Sequence, residues 1–271
     1  MPAQQDKILE ARDADVVTLR FHDPERRNAM TFAMGEAFAS RIAELAGDAS
    51  IRAVVLTGSG RAFSAGGDLE MLQERAKQGR AQPGVARYPI RDAMRGFYKL
   101  FLSVRDLPCP TIAAINGHAI GAGLCVALAC DIRLVAHEAK LGLNFTKLGL
   151  HPGMAATWSL PRLVGPAVAA ELLYTSRLFS GEEAARIGLA NRVLPAEEVL
   201  EAGQALAAEI AGCAPRAVRG VKRALARSAD SGIEDQLSFE AHEQAICFES
   251  QDVGEGLSAA QERREPVFDG Q

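Results

Sequence analysis

The apolar residues of this chain fall into two patterns. Residues 51–57, 111–115 and 132–135 are short, predominantly apolar runs, as expected for buried strands. Residues 16–21 and 141–145 read the same way, and residues 8–9 pair with 16–21 in an opening hairpin around Asp13-Ala14-Asp15. Between the runs lie stripes at a spacing of three to four, which predict helices. Thr31 caps one that carries Phe32, Met34, Phe38, Ile42 and Leu45 and ends at Gly47-Asp48. A second covers residues 90–104, with Met94, Phe97, Tyr98, Phe101 and Leu102 on its apolar face. The polar segment 73–91, interrupted by Gly79, Pro83, Gly84 and Pro89, predicts a mobile loop that either covers a substrate or is an idle surface excursion.

Further on, residues 155–163 and 167–173 read as helices. Ser180 with Glu183 gives a capping-box pattern for a short helix ending at Gly188, and residues 191–194 are a last strand. From Pro195 the pattern is helical alone, at residues 197–211, 216–228, 233–250 and 253–264. The chain thus divides into an α/β part, residues 1–195, and a helical part, residues 196–271. A basic helix face of Arg216, Arg219, Lys222, Arg223 and Arg227 reads as a solvated or intersubunit surface.

Two turns of small residues stand out against this background. Thr111–Ile115 leads through Asn116-Gly117 to Gly121-Ala122-Gly123, which opens the buried apolar stretch 124–130. The first N–H groups of a helix lack intrahelical partners and carry partial positive charge, so an anion or a developing oxyanion can rest there. A glycine start used for close packing is the alternative. Ala65-Gly66-Gly67-Asp68 follows the run 52–58 and makes a second turn of the same kind. Together the two suggest a two-donor oxyanion hole.

Composition excludes several classes. The chain has 271 residues, 48% of them hydrophobic, enough for one large domain or a domain with an appendage. A net charge of −4 leaves no footprint for nucleic acid or an acidic membrane. No apolar run approaches the ~20 residues of a bilayer span, and residues 1–6 lack a signal pattern. Five scattered cysteines without CxxC or zinc spacing predict reduced thiols, no metal site and a cytoplasmic location. The dinucleotide, P-loop and GxSxG patterns are absent.

Set in order, the motifs resemble the crotonase superfamily, the enoyl-CoA hydratase/isomerase family. The resemblance rests on Pro24-Glu25-Arg26-Arg27-Asn28-Ala29-Met30, Ala62-Phe63-Ser64-Ala65-Gly66-Gly67-Asp68-Leu69 and Gly121-Ala122-Gly123-Leu124. Ala129-Cys130-Asp131-Ile132, Leu160-Pro161-Arg162-Leu163-Val164-Gly165, Gly181-Glu182-Glu183-Ala184 and Glu262-Arg263-Arg264 extend it over roughly residues 8–268. It implies a crotonase-like α/β spiral of repeated ββα units and a C-terminal α-helical trimerisation part, giving a homotrimer or hexamer. It also implies an acyl-CoA thioester substrate, with no cofactor beyond the coenzyme A that the substrate carries. The two oxyanion amides fall on Gly67 and on Ala122, where glycine is usual. Arg26, Arg27, Ala29, Ala65, Asp68 and Leu69 become coenzyme A neighbours, and Arg263 matches a basic position that reaches a coenzyme A phosphate.

The acid/base residues do not carry over. Cys125 and Phe145 occupy the positions of the two hydratase glutamates, and Gly153 stands where some isomerases have an aspartate. Phenylalanine exchanges no proton, and a buried cysteine holds its proton. His151 is the substitute the sequence offers, as a catalytic group or as a structural hydrogen-bonder; His118, Glu70 and Asp68 rank below it. The expectation is therefore an acyl-CoA enzyme that does not run standard hydration. The alternatives are a catalytically silent acyl-CoA-binding protein or an acyl-CoA hydrolase.

Overall fold

The structure, a computed structural model, describes residues 6–271. Strands β1 (Ile8–Asp13) and β2 (Val16–Phe21) form the antiparallel hairpin. On β2 build β3 (Ala53–Gly58), β5 (Thr111–Ile115), β7 (Ile132–Ala136) and β9 (Arg192–Leu194), all parallel. A smaller parallel sheet consists of β4 (Ala62–Ser64), β6 (His118–Ile120) and β8 (Leu141–Gly142). Each of these short strands directly follows a long one, and a helix comes next: α2 (Leu69–Ala81), α4 (Ala122–Ala129) and α5 (Ala156–Thr175). This is a spiral of ββα turns. Helices α1 (Phe32–Gly47) and α3 (Arg87–Leu102) lie within its first turns, and α6 (Gly181–Arg186) precedes β9. After β9 come α7 (Val199–Ala211), α8 (Pro215–Ser228), α9 (Ile233–Phe248) and α10 (Gln251–Glu262).

Every residue of β3 and β5 is buried, as predominantly apolar runs predict. α7 contributes cover on the large sheet. Its Val199, Gly203 and Ala207 recur every fourth residue and are buried, and Gly203 closes directly on Ala114 and Val55. Although its sequence groups it with the C-terminal helices, α7 packs into the same core as the spiral. Phe21, Phe38, Phe63, Phe97 and Phe101 form an aromatic cluster with ring centroids 5.0–6.3 Å apart, tying α1 and α3 to β2 and β4.

Several expectations are corrected. Residues 73–91 are not a loop: α2 runs to Ala81 and α3 begins at Arg87. Asp68 starts α2 by accepting the Met71 N–H at 2.9 Å, and Pro89 sits in the first turn of α3, where its missing N–H removes no helical bond. Residues 141–145 pair only at Leu141–Gly142, and Phe145 already has helical torsions at the start of a 3-10 turn. β6 was hidden in the sequence because three residues are too few to display a period. Ser180 accepts the Glu183 N–H at 3.2 Å, but the Glu183 carboxylate turns to Arg177 at 2.7 Å, so the capping box is half made. The basic face of α8 is largely spent within the chain. Arg219 donates to the Ala49 and Ile51 carbonyls, Lys222 to the Cys109 carbonyl and to Asp131, and Arg223 to Glu243. Among the described residues no helix is long and apolar enough to cross a membrane.

Candidate functional site

Parallel strands deliver the loops that follow them to one end of their sheet. In the small sheet Ser64 pairs with Ala119 and Ile120 with Gly142, so residues 65–68, 121–122 and 143–145 emerge side by side. Gly121 fixes the second turn, donating its N–H to the Gly142 carbonyl at 2.8 Å from a backbone (φ 52°, ψ −120°) that suits glycine alone. Gly66, at φ 90°, lies so close that a Cβ there would stand 2.5 Å from the Ile120 carbonyl oxygen and 3.4 Å from the Ala122 nitrogen. The two glycine turns therefore touch. The bridge between Met30 and Gly67 is made by the Gly66 carbonyl and the Asp68 N–H, which leaves the Gly67 N–H outside the pairing. Ala122 is the first residue of α4, where the N–H has no intrahelical acceptor.

Residues 23–30 are strapped to the first turn. The buried Asn28 side chain donates to the carbonyls of Ser59, Ala62 and Phe63 at 2.9, 2.8 and 3.3 Å, and accepts the Asp23 N–H at 2.9 Å. Ser64 Oγ donates to the Asn28 carbonyl and accepts the Gly66 N–H. Backbone bonds from Ala65 to Arg27 and from Met30 to Gly66 complete the strap. This network brings Arg26, Arg27 and Ala29 to Ala65, Gly67, Asp68 and Leu69.

All of these residues, with Ala122 and His151, line one cavity of about 740 Å³. The helices that replace the expected loop wall it, with Met71 and Leu72 from α2 and Ile90, Met94 and Tyr98 from α3. Arg263 does not line it; that residue caps the C-terminus of α10 in a left-handed conformation.

The acidic residues and arginines of the lining, Glu25, Arg26, Arg27, Asp68, Glu70 and Arg75, all come from residues 25–27 and 68–75, the charged side of the cavity. Arg26 is ion-paired to Asp68, which also caps α2, and lies 3.9 Å from Glu70. The Glu70 side chain is 87% exposed, and Arg27 has no ion pair among the described residues. The lining from residues 90–98 and 121–154 has no acidic side chain, lysine or arginine and makes the uncharged side. Phe145 lines the wall, whereas Cys125 lies buried behind it with its Sγ 3.9 Å from the Gly153 carbonyl oxygen. Burial pushes the Cys125 thiol far up, so it stays protonated. The space a side chain at Gly153 would take is filled by the phenol end of Tyr98, whose Cζ stands 2.6 Å from the ideal Cβ position.

His151 Nδ1 lies 2.8 Å from the Pro152 carbonyl oxygen. A carbonyl only accepts, so Nδ1 bears a hydrogen, and in the neutral imidazole Nε2 is the acceptor. His118 does not line the cavity; its Nδ1 accepts the Lys140 N–H at 3.0 Å. Among the described residues no cluster of His, Cys, Asp and Glu suits a metal ion. Sequence reading took Tyr98 for part of an apolar face and did not count it among the site residues. The available signal was a single hydroxyl in a stripe otherwise made of methionine, leucine and phenylalanine.

A family model described as enoyl-CoA hydratase/isomerase matches residues 11–271. The chain is 33% identical to the crotonyl-CoA hydratase of Syntrophomonas wolfei subsp. wolfei over 267 residues, 98% of each protein. It superposes on the crystal structure of an enoyl-CoA hydratase from Bacillus anthracis with a TM-score of 0.88 and 33% identity, covering 98% of this chain and 100% of that one. For an enoyl-CoA hydratase from Polaromonas sp. JS666 the TM-score is 0.85 at 29% identity, with 97% and 99% covered.

Proposed function

The chain belongs to the enoyl-CoA hydratase/isomerase family, and on that premise we propose that it processes acyl-CoA thioesters with two main-chain amides and without the carboxylate pair of standard hydration. The observation that carries this reading is the cavity itself. It joins the Gly67 and Ala122 turns at touching distance, while Phe145, the buried Cys125 and Gly153 supply no carboxylate beside them. Two amides converging on the thioester oxygen would stabilise an enolate or a tetrahedral species; one such donor typically changes kcat by about 10²–10³. Addition of water needs a base for the water and an acid for the α carbon. Double-bond isomerisation needs a proton removed at one carbon and a proton delivered at another, and His151 Nε2 fits the removal.

Coenzyme A lies along the charged side in this reading. Arg27 offers a free guanidinium to its phosphates, while Arg26 and Asp68 hold the wall by binding each other. No cofactor beyond coenzyme A is needed. The helical part forms a homotrimer or hexamer through exposed apolar residues such as Val221, Leu225 and Phe248. Arg263, off the cavity of its own chain, acts at the cavity of a neighbouring copy. Five free cysteines agree with a cytoplasmic protein.

The test is to compare hydration of crotonyl-CoA, isomerisation of a 3-enoyl-CoA and release of free coenzyme A, with calorimetric binding of butyryl-CoA in parallel. We expect binding and isomerisation, with hydration weaker by about 10²–10⁴, the usual contribution of a missing acid or base. His151→Ala should abolish isomerisation and leave binding intact. Hydration as fast as isomerisation would overturn the proposal. Binding without any turnover would favour the silent carrier, for which the carboxylate-free wall speaks, and release of coenzyme A would favour the hydrolase.

A further inference from the structure

The geometry points to Tyr98 as the proton donor of this cavity, a phenol that serves the acyl chain where a carboxylic acid would otherwise be expected. The inference rests on the acyl-CoA reading above and adds the group that returns the proton. Among the described residues that line the cavity, Tyr98 has the only hydroxyl. It makes no hydrogen bond among the described residues, and it is half-buried. Its ring is fixed by α3, which buries the neighbouring Phe97 in the aromatic cluster and packs it edge-on against Tyr98. The phenol end fills the volume next to Gly153, in front of the buried Cys125 and in the same wall as Met154 and His151.

Elimination of the other groups points the same way. Arg26 and Asp68 are bound to each other, Glu25 and Glu70 are exposed, and Arg75 donates to Gln78. Cys125 lies behind the wall, and Phe145 has no proton to give. In its neutral Nδ1–H form His151 has its lone pair at Nε2, which suits it to take the first proton. Burial pushes the Tyr98 phenol above its ordinary value and keeps it protonated at neutral pH.

The chemistry balances without any further reagent. His151 Nε2 takes a proton from the acyl chain, and the C–H electron pair moves into an enolate held by the two amides. In the return step the phenolic O–H bond breaks and a C–H bond forms from the enolate electron pair. The thioester carbonyl is restored. Solvent water then reprotonates the phenolate, and the imidazolium gives its proton to solvent.

The experiment uses the full chain and butyryl-CoA in deuterated water, reading α-hydrogen exchange by NMR and affinity by calorimetry. We expect the wild type to bind and to exchange. Tyr98→Phe, which removes one oxygen without a partner, should fold normally and lose about 10²–10⁴ of the exchange rate. Its Kd should change by less than about tenfold, the ceiling for one neutral hydrogen bond. Enzyme-dependent exchange by the wild type should fall only at a pH above the usual phenol value near 10, and Tyr98→Phe should lack that limb. Exchange by Tyr98→Phe at the wild-type rate would overturn the Tyr98 assignment and leave the acyl-CoA reading standing. Binding without exchange in the wild type would also overturn it, in favour of a carrier. Failure of the wild type to bind butyryl-CoA at all would overturn the acyl-CoA reading and Tyr98's role with it.

Discussion

Two pairs of consecutive residues in the left-handed region flank the cavity, and their surroundings differ. Arg27 and Asn28 (φ 53° and 55°) stand on the charged side; Met154 and Ala155 (both φ 54°) stand on the uncharged side. The first pair is fixed from outside, by the Asn28 side chain on three carbonyls and by the strap from Ser64, Ala65 and Gly66. Asparagine also tolerates this conformation better than most residues. The second pair has no side-chain cap at the start of α5 and no polar strap. It relies on the Ala156 N–H to the Gly153 carbonyl at 3.0 Å, with the Cys125 thiol 3.9 Å from the same oxygen. Both hold unfavourable backbone next to the proposed oxyanion site. One does so by side-chain hydrogen bonds, the other through a backbone bond to the adjoining Gly153, which meets Tyr98 and Cys125. The contrast suggests that the charged side is built to be rigid, and that the uncharged side is where a change of side chain changes the chemistry.

The hydrogen-bonded side should break hardest. In Asn28→Asp the two donor hydrogens disappear and a carboxylate faces the carbonyls of Ser59, Ala62 and Phe63 in a fully buried site. An uncompensated buried charge costs about 3–5 kcal/mol. Urea unfolding should register a loss of that size, with loss of acyl-CoA binding in the protein that remains folded. A loss below about 1 kcal/mol, the scale of an ordinary surface change, would mean that the strap does not hold the turn.

The packed side should yield less. In Gly153→Ala the new methyl group meets the Tyr98 ring, and overpacking of this kind costs about 1–3 kcal/mol. Adding Tyr98→Leu should recover most of it, since the shorter side chain vacates the space. The coupling in that double-mutant cycle is the observable. Additive losses would show that the two residues do not contend for one volume.

How much of this was legible in the sequence follows from what each feature depends on. The long strands and α1 announce themselves through apolar period and the Thr31 cap, because burial alone decides them. The glycine turns were legible too, since the backbone at Gly66 and Gly121 leaves little choice of residue. Residues 73–91 misled because α2 is polar on most sides, Pro83 and Gly84 fall just where the helical pair turns, and Pro89 stands in the first turn of α3, which together look the same as disorder. Tyr98 was invisible for another reason. Its role depends on a void at Gly153, 55 positions away, and no local pattern encodes a space left by a missing side chain.

On the charged side, charge and cap can be separated. Asp68 both pairs with Arg26 and caps α2, and asparagine caps about as well as aspartate. Asp68→Asn should therefore lose only the ion pair. That is about 1 kcal/mol for a pair whose arginine is half exposed. Asp68→Ala should lose about 1 kcal/mol more with the cap. Equal losses in thermal unfolding would assign the whole effect to charge. The freed Arg26 should also tighten coenzyme A binding in Asp68→Asn, in contrast to Asp68→Ala, where α2 frays.

The smallest effect separates strain from chemistry on the uncharged side. Ala155 is exposed and holds φ 54° with ψ 23°, a conformation that disfavours alanine by about 1–2 kcal/mol. Glycine is free of that penalty and is accepted before a helix, but its unfolded chain is more mobile, which returns about 0.5–1 kcal/mol. Ala155→Gly should thus gain about 0.5–1 kcal/mol, or about 1–4 °C in Tm for a chain of this size. Because Ala155 does not line the cavity, butyryl-CoA affinity and proton exchange should stay as they are. A rise in Tm with unchanged exchange identifies the strain at this turn as a structural burden. A rise in Tm accompanied by slower exchange would instead mean that the strained turn helps to aim Met154 and His151 at the acyl chain.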